Sequence, residues 1–501
     1  MIIIKCKNND YIQPIFHLAK AFFPDEEIIQ QIDKEQEPQL QLILDGGSCF
    51  SLVDGDFPEV GKEEFVRVNG GECDYCLTKS ASHKLELLKK VYTTLADYTN
   101  KTLPWGILTG VRPTKLAMSL LFKNEESKLA DAIGQEEKQK SESIVQVLCE
   151  KYLLSKEKAE LVVDVAKREK KLLEALDLEE GFSLYVSIPF CPSICSYCSF
   201  SSGELDQWKD RVDEYVEVLC QEIADLGQKI KRNLSETEGF TNAKHLNTIY
   251  IGGGTPTTLS VNQLSRLLHT IKTSFLMDKL VEYTVEAGRP DTITREKLSL
   301  FKEYGVTRIS INPQSMNQKT LDKIGRRHTV DDVKKSFHLA REEGFDNINM
   351  DLIIGLPEEG MSQVESTIRQ IEQLKPDALT IHTLAKKRGA NIQLALPDDA
   401  TTIAVEEMLN FCYERAFKMD LLPYYLYRQK NIAGNFENVG FATVDKVGIY
   451  NILIIEELQN IFGVGVGAIT KLVEKKKIRR LSNTKDIKKY IETFGEKIEH
   501  A

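Results

Sequence analysis

Three cysteines, Cys191, Cys195 and Cys198, fall within eight residues of the stretch LYVSIPFCPSICSYCSFSSG. Cys-x3-Cys-x2-Cys with aromatic residues between and after suits an iron–sulfur cluster. Thiolates are the soft ligands such a cluster needs, and a short loop can bring three of them to three corners of a cube. Structural zinc takes four ligands, and the following Ser199, Phe200, Ser201 and Ser202 supply no fourth nearby. A zinc site completed by a distant residue, or three small buried side chains, are the other readings of the same spacing. Ten cysteines in 501 residues are too sparse for a disulfide scaffold.

A second stretch, IGGGTPTTL, has glycines that permit close backbone approach to a ligand. The Thr and Pro after them open a helix whose N-terminal amides favour anionic groups. The same residues also make an ordinary tight β-to-α turn. Cys73 and Cys76 form a lone Cys-x2-Cys that is either a zinc or redox pair or two unrelated thiols. Tyr424, Tyr425 and Tyr427 form an aromatic run that fits a flat-ligand pocket or a core strand or helix edge. Arg112 and Lys115, after Trp105, can meet carboxylates or cap a helix.

These residues need a scaffold, and the sequence from 184 onward supplies one. Six strand-like runs cover 184–190, 248–254, 282–287, 308–313, 347–357 and 378–384, with amphipathic helical stretches between most of them. Each unit implies a parallel pair with a right-handed crossover, and six units build an open or nearly closed barrel. Functional residues belong at the C-terminal strand ends of such a barrel. The cysteines, the glycines, Glu286 and Gln314 all fall at or just after strand ends, and Asp351 lies within the fifth strand. The chain divides into an N-terminal α+β and helical extension (1–178), the barrel (179–395) and a mostly helical C-terminal region (396–501) expected to cover substrate.

The net charge of -10, from 65 Lys+Arg and 75 Asp+Glu, offers no broad basic surface for nucleic acid. No run approaches eighteen apolar residues, so no membrane span is expected. The start MIIIKCKNND lacks the long apolar segment of a signal peptide, and the expected location is the cytoplasm.

With the motifs placed, the chain resembles radical S-adenosylmethionine (SAM) enzymes, specifically the oxygen-independent coproporphyrinogen III oxidase family. The likeness runs from about Leu184 to Thr470. It rests on YVSIPFCPSICSYCSF, GGGTPT, INPQS, GRRHT, DLIIGLP and GVGVGAI. The extension with LPWGILTGVRPTKL and the segment YYLYRQKN resemble the long HemZ-type subgroup.

The resemblance implies an α/β fold, a partial (β/α)6 TIM-like barrel. It implies a [4Fe-4S] cluster on Cys191, Cys195 and Cys198, with the open iron chelated by S-adenosylmethionine. An electron from the reduced cluster then releases a 5′-deoxyadenosyl radical. Tyr185, Tyr197, Gly253, Gly254, Thr255 and Glu286 would meet the first cofactor molecule. Gln314, Arg326, Asp351, Ala385 and Ile469 match positions serving it and a second one. The implied reaction is the oxidative decarboxylation of coproporphyrinogen III to protoporphyrinogen IX in haem biosynthesis. A porphyrinogen substrate and an electron donor such as flavodoxin or ferredoxin are the implied partners.

Three departures stand out. The oxidases usually carry His where this chain has Ser187, and Cys where it has Phe200. The late stretch QKNIAGNFEN lacks oxidase-type side chains. Related haem chaperones also have Phe at the position of Phe200. The resemblance therefore keeps open a haem-binding chaperone and a radical methyltransferase of anaerobic haem breakdown.

Overall fold

The structure, a computed structural model, describes residues 2–6, 9–24, 26–32, 40–43, 49–52, 79–126, 135–200, 202–232, 243–385, 399–429, 436–474 and 477–499. Cys73 and Cys76 lie outside the described residues. The chain forms two compact units. One comprises Met1–Lys167, Ala395–Ile403 and Leu426–Glu437; the other comprises Arg168–Leu394, Ala404–Tyr425 and Asn438–Ala501.

In the first unit, strand Ile2–Cys6 pairs in parallel with Ile28–Ile32 and antiparallel with Leu40–Ile43, which pairs with Cys49–Leu52. Helix Asn9–Phe22 buries Ile12, Ile15, Leu18, Ala19 and Phe22, the one-face spacing of an amphipathic helix. Helix Lys79–Thr99 buries Leu87, Val91 and Leu95 at four-residue intervals. Glu437 is fully buried, with one carboxylate oxygen 2.5 Å from Lys158 Nζ and the other accepting from Trp105 Nε1 at 2.7 Å. Both oxygens are satisfied, which is what a buried charge requires. Trp105 is thus a core residue.

The second unit is built on an eleven-stranded sheet. Its centre is six parallel strands: β1 (Gly181–Ile188), β2 (His245–Gly253), β3 (Glu282–Glu286), β4 (Arg308–Ser310), β5 (Ile348–Ile354) and β6 (Ala378–Thr383). They lie side by side in chain order, as the right-handed crossovers of a (β/α)6 partial barrel demand. Helices Val212–Lys231, Val261–Ser274, Arg295–Glu303, Val330–Glu342 and Met361–Leu374 lie in the crossovers. Several start on designed caps. Ser260 and Thr329 each accept the amide three residues on while that residue's side chain reaches back, satisfying two orphan donors at once.

Helices Asp399–Lys418, Ile449–Glu456 and Ile487–Glu499 meet the helical expectation for the region after 395. The five strands there do not follow from it. Asn460–Val464 adds in parallel to β1 and continues into the hairpin Ile469–Glu474 and Lys477–Ser482. Glu437–Ala442 pairs antiparallel with β6, beside Leu422–Arg428. Tyr424 and Tyr425 are accordingly buried strand residues, Tyr425 against Gly440, where a Cβ would sit 1.8 Å from its ring.

Candidate functional site

Alternate residues of the six parallel strands share one face, and here they are polar. In register across β1 to β3 run Ser183, Thr248 and Glu282, then Tyr185, Tyr250 and Thr284. Arg308 continues the second row, and Ser310 stands beside Glu286 in the row above. Asn349 follows Ser310, and Asp351 neighbours Thr380. A hydrogen-bonded chain ties them together. Ser183 meets Thr248 at 2.6 Å, Asn349 Nδ2 donates to Ser310 and Asp351 at 2.7 Å each, and Thr380 donates to Asn349 Oδ1 at 3.1 Å. Such a lined interior positions polar side chains at the strand ends above it.

The cysteine loop leaves the end of β1 and is anchored by the glycine turn after β2. Gly254 N–H donates to Ile188 C=O and Thr255 N–H to Phe190 C=O, both at 2.7 Å. A Cβ on Gly254 would sit 2.7 Å from the Phe190 carbonyl, so the approach needs glycine. Gly253 takes φ +104°, a region that L side chains avoid. These amides are occupied by the loop. Gly254 and Thr255, expected to meet cofactor, thus also hold the cysteine loop, and the Thr255 side chain reaches a cysteine. Its hydroxyl donates to Cys191 Sγ at 3.5 Å.

Two buried guanidiniums support the same loop. Arg289, 2% exposed, donates to the Ser193 carbonyl and hydroxyl and forms a forked pair with Asp291. Arg326, 4% exposed, donates to the Tyr197 hydroxyl and to two backbone carbonyls. Sequence placed Arg326 and Tyr197 against cofactor; the structure gives most of Arg326's donors to the protein. Tyr197 packs on the apolar cluster of Leu321, Ile324, Ile353, Leu356 and Leu384. Burial pushes the Cys191 thiol up, and Cys198 and Cys195 beside it push the same way, against the Thr255 hydrogen bond.

The donor set fits an iron–sulfur cluster. Zinc at about 2.3 Å from each thiolate holds tetrahedral sulfurs roughly 3.8 Å apart. Three soft thiolates with no fourth Cys or His beside them in the loop leave a zinc ion one ligand short. Such a donor set suits three corners of an iron–sulfur cluster better than one ion.

Further donors and acceptors stand at the other strand ends. Tyr250 donates to Glu286 Oε1 at 2.5 Å, and its ring stacks on Tyr450 at 4.5 Å, with Tyr185 beside both. Burial pushes the Glu286 carboxyl up to about 7, with Asp351 adding to the rise, against Tyr250 and Arg308. Asp351 is pulled down: burial opposes its charge, but His382, Asn349 and Thr380 together outweigh it. Its carboxylate lies 3.7 Å from His382 Nε2. Gln314 adopts φ +67°, its amide donates to the Asp351 carbonyl, and its buried Oε1 has no hydrogen-bond partner. A strained residue with an orphaned acceptor fits a ligand-facing position. Ala385 is buried just after β6. Ile469 is 40% exposed and starts the second strand of a hairpin, so GVGVGAI is a strand–turn–strand. Tyr250, Tyr450, Arg289, Arg308 and His382 were not singled out from sequence; only Tyr250, alternating with Thr248 and Gly252 ahead of the glycines, carried a readable signal.

The cysteine loop above a six-stranded parallel half-barrel defines a radical SAM protein. The family model described as the radical SAM superfamily matches residues 185–371. Membership brings a [4Fe-4S] cluster and S-adenosylmethionine as cofactors. The chain is 35% identical over 497 residues to the oxygen-independent coproporphyrinogen-III oxidase-like protein HemZ of Bacillus subtilis, covering 96% of this chain and 93% of that one. It is 39% identical over 203 residues to the haem chaperone HemW of the same organism, covering 40% of this chain and 50% of the relative. The fold matches the coproporphyrinogen III oxidase of Escherichia coli with a TM-score of 0.50 and 23% identity, over 66% of this chain and 73% of that one. The chain belongs to the HemZ-type family of oxygen-independent coproporphyrinogen III oxidase-like proteins. Among the described residues no helix is long and apolar enough to cross a membrane.

Proposed function

We propose that the protein catalyses the oxidative decarboxylation of coproporphyrinogen III to protoporphyrinogen IX. The observation that carries this reading is the HemZ relative, matched along nearly its whole length and oxidase-like by name. At each of two propionates a hydrogen atom leaves the carbon next to the ring. The carboxylate leaves as CO2, one of its electrons completes the vinyl double bond, and one passes to an acceptor.

Cys191, Cys195 and Cys198 would hold the cluster, and the bound cofactors supply the hydrogen-abstracting radical. The remaining work of the chain is positioning and exclusion of side reactions. Tyr185 and Glu286 face the first cofactor molecule. Gln314 Oε1 and Asp351 offer acceptors to a ligand hydroxyl or ammonium, and Ala385 and Ile469 would complete the cofactor positions. Glu286, poised near neutrality, can hold or release a proton there.

The test is anaerobic reconstitution with S-adenosylmethionine, a reductant, an electron acceptor and coproporphyrinogen III. Protoporphyrin and CO2 are expected. Phe200, 68% exposed where the oxidases have Cys, favours a second reading as a haem chaperone. Stoichiometric haem binding without product would establish that reading instead.

A further inference from the structure

The segment Ile324–Arg326 fastens the cysteine loop independently of the glycine turn. Ser196 N–H donates to the Ile324 carbonyl and Ser193 Oγ to the Gly325 carbonyl, each at 3.0 Å. Arg326 follows. Its Nη2 donates to the carbonyls of Gly288 and Asn312 at 2.6 Å each, which fixes the guanidinium plane. Its Nη1 is thereby held 3.1 Å from the Tyr197 hydroxyl and 3.9 Å from Cys195 Sγ. The Tyr197 hydroxyl faces the same sulfur.

We propose that Arg326, assisted by Tyr197, is a positioning residue that sets the reduction potential of the cluster through Cys195. Hydrogen bonds to ligand sulfur and local net charge are principal determinants of such potentials. An added electron increases negative charge on the sulfurs. A fixed cationic N–H at one of them therefore favours the reduced state. At 4% exposure this interaction is little screened by water or salt. Arg289 donates to the Ser193 carbonyl and hydroxyl, whereas Arg326 reaches Cys195 Sγ, so the two arginines are not equivalent. The inference rests on the cluster assignment made under the proposed function.

The experiment uses the full chain, reconstituted anaerobically without S-adenosylmethionine, as wild type, Arg326→Gln, Arg326→Lys and Tyr197→Phe. Iron and sulfide per chain are measured first, then the midpoint potential by EPR-monitored redox titration. With full iron, Arg326→Gln is expected to lower the reduction equilibrium at least tenfold, about 59 mV for one electron. Arg326→Lys and Tyr197→Phe are expected to lower it by less. Variants with full iron and the wild-type potential would overturn the proposal. If Arg326→Gln does not retain iron, an unchanged potential in Tyr197→Phe overturns it alone. Wild-type protein that takes up no iron sinks the cluster assignment and this inference with it, and iron content alone reveals that case.

Discussion

Tyr250 donates its hydroxyl to Glu286 across 2.5 Å, joining the middle of β2 to the end of β3 in the lined interior of the half-barrel. The pair puts a half-buried carboxyl, pushed up to about 7 mainly by desolvation, at the edge of the candidate site. Tyr250 is itself held by stacking on Tyr450 and Tyr185, so the acceptor geometry of Glu286 is set from below.

That carboxyl makes stability depend on pH with a defined sign. A carboxylate free in the unfolded chain titrates near 4.3, whereas Glu286 titrates near 7 in the fold. Between these values the native state binds the extra proton, so its stabilising effect is complete at low pH and is lost as pH rises towards 7. Denaturant unfolding of wild type and Glu286→Gln at pH 5 and pH 8 should show a difference that changes by on the order of 2–3 kcal/mol. Parallel profiles for the two proteins would show that Glu286 titrates normally.

Each of the three loop cysteines should be indispensable to cluster assembly, because a short loop offers no substitute thiolate. Cys191→Ala, Cys195→Ala and Cys198→Ala should each lose the visible charge-transfer absorbance and most bound iron after reconstitution. Cys149→Ala and Cys220→Ala, on the helices Gln135–Tyr152 and Val212–Lys231, should keep both. A loop variant with full iron, sulfide and cofactor cleavage would refute the ligand assignment.

Gly254→Ala tests the seam between the glycine turn and the cysteine loop. The added Cβ would lie 2.7 Å from the Phe190 carbonyl, the same oxygen that accepts the Thr255 amide. Both neighbours are backbone, so relief requires moving the residue next to Cys191. The expected cost is about 1–3 kcal/mol in unfolding free energy, with reduced iron uptake. Normal stability and normal iron content would mean that the two loops are less tightly joined than these distances state.

The barrel was legible because its signals are local. Strand runs at regular spacing, helical stretches between them and glycines at strand ends each follow from a few neighbouring residues. All six strands appear within a few residues of where alternation and turn residues put them. The strands after 395 were hidden for the opposite reason. Asn460–Val464 is stabilised by pairing with β1, nearly three hundred residues earlier in the chain, and such register leaves little local trace. The cysteines announced themselves by spacing. Arg289 and Arg326 serve carbonyls brought together only by tertiary folding, and no pattern around either residue foretells those partners.

Ser187 stands where the resemblance led to the expectation of a histidine, and its surroundings account for a small side chain. Its Oγ donates to the Val466 carbonyl at 2.8 Å and lies 2.9 Å from where a Gly253 Cβ would be. Ser187→Ala should cost about 1 kcal/mol, one buried hydrogen bond. Ser187→His should cost about 1–3 kcal/mol, because the ring must displace either the Val466 turn or the glycine turn. Equal midpoints for the two variants in denaturant would contradict this packing.

Glu222 organises the late glycine-rich turn, and its removal should separate that turn from the barrel. One carboxylate oxygen accepts from the Gly465 amide at 2.8 Å and from the Tyr490 hydroxyl at 2.5 Å; the other accepts from Asn483 Nδ2 at 2.8 Å. Tyr215, two turns earlier on the same helix, donates to the Ser187 carbonyl and accepts from the Val466 amide. The helix Val212–Lys231 thus ties the turn, the end of β1 and the C-terminal helix to one another. In Glu222→Ala three donors lose a charged acceptor, and a loss of roughly 3 kcal/mol or more is expected from hydrogen bonds of about 1.5–3 kcal/mol each. Glu222→Gln keeps the shape and some acceptor capacity, so it should lose less. Limited proteolysis should then cut Glu222→Ala first in the segment 483–499, while cleavage of the barrel helices stays as slow as in wild type. Simultaneous cleavage throughout the second unit would show that the C-terminal helix is no separate clamp but part of one cooperative core.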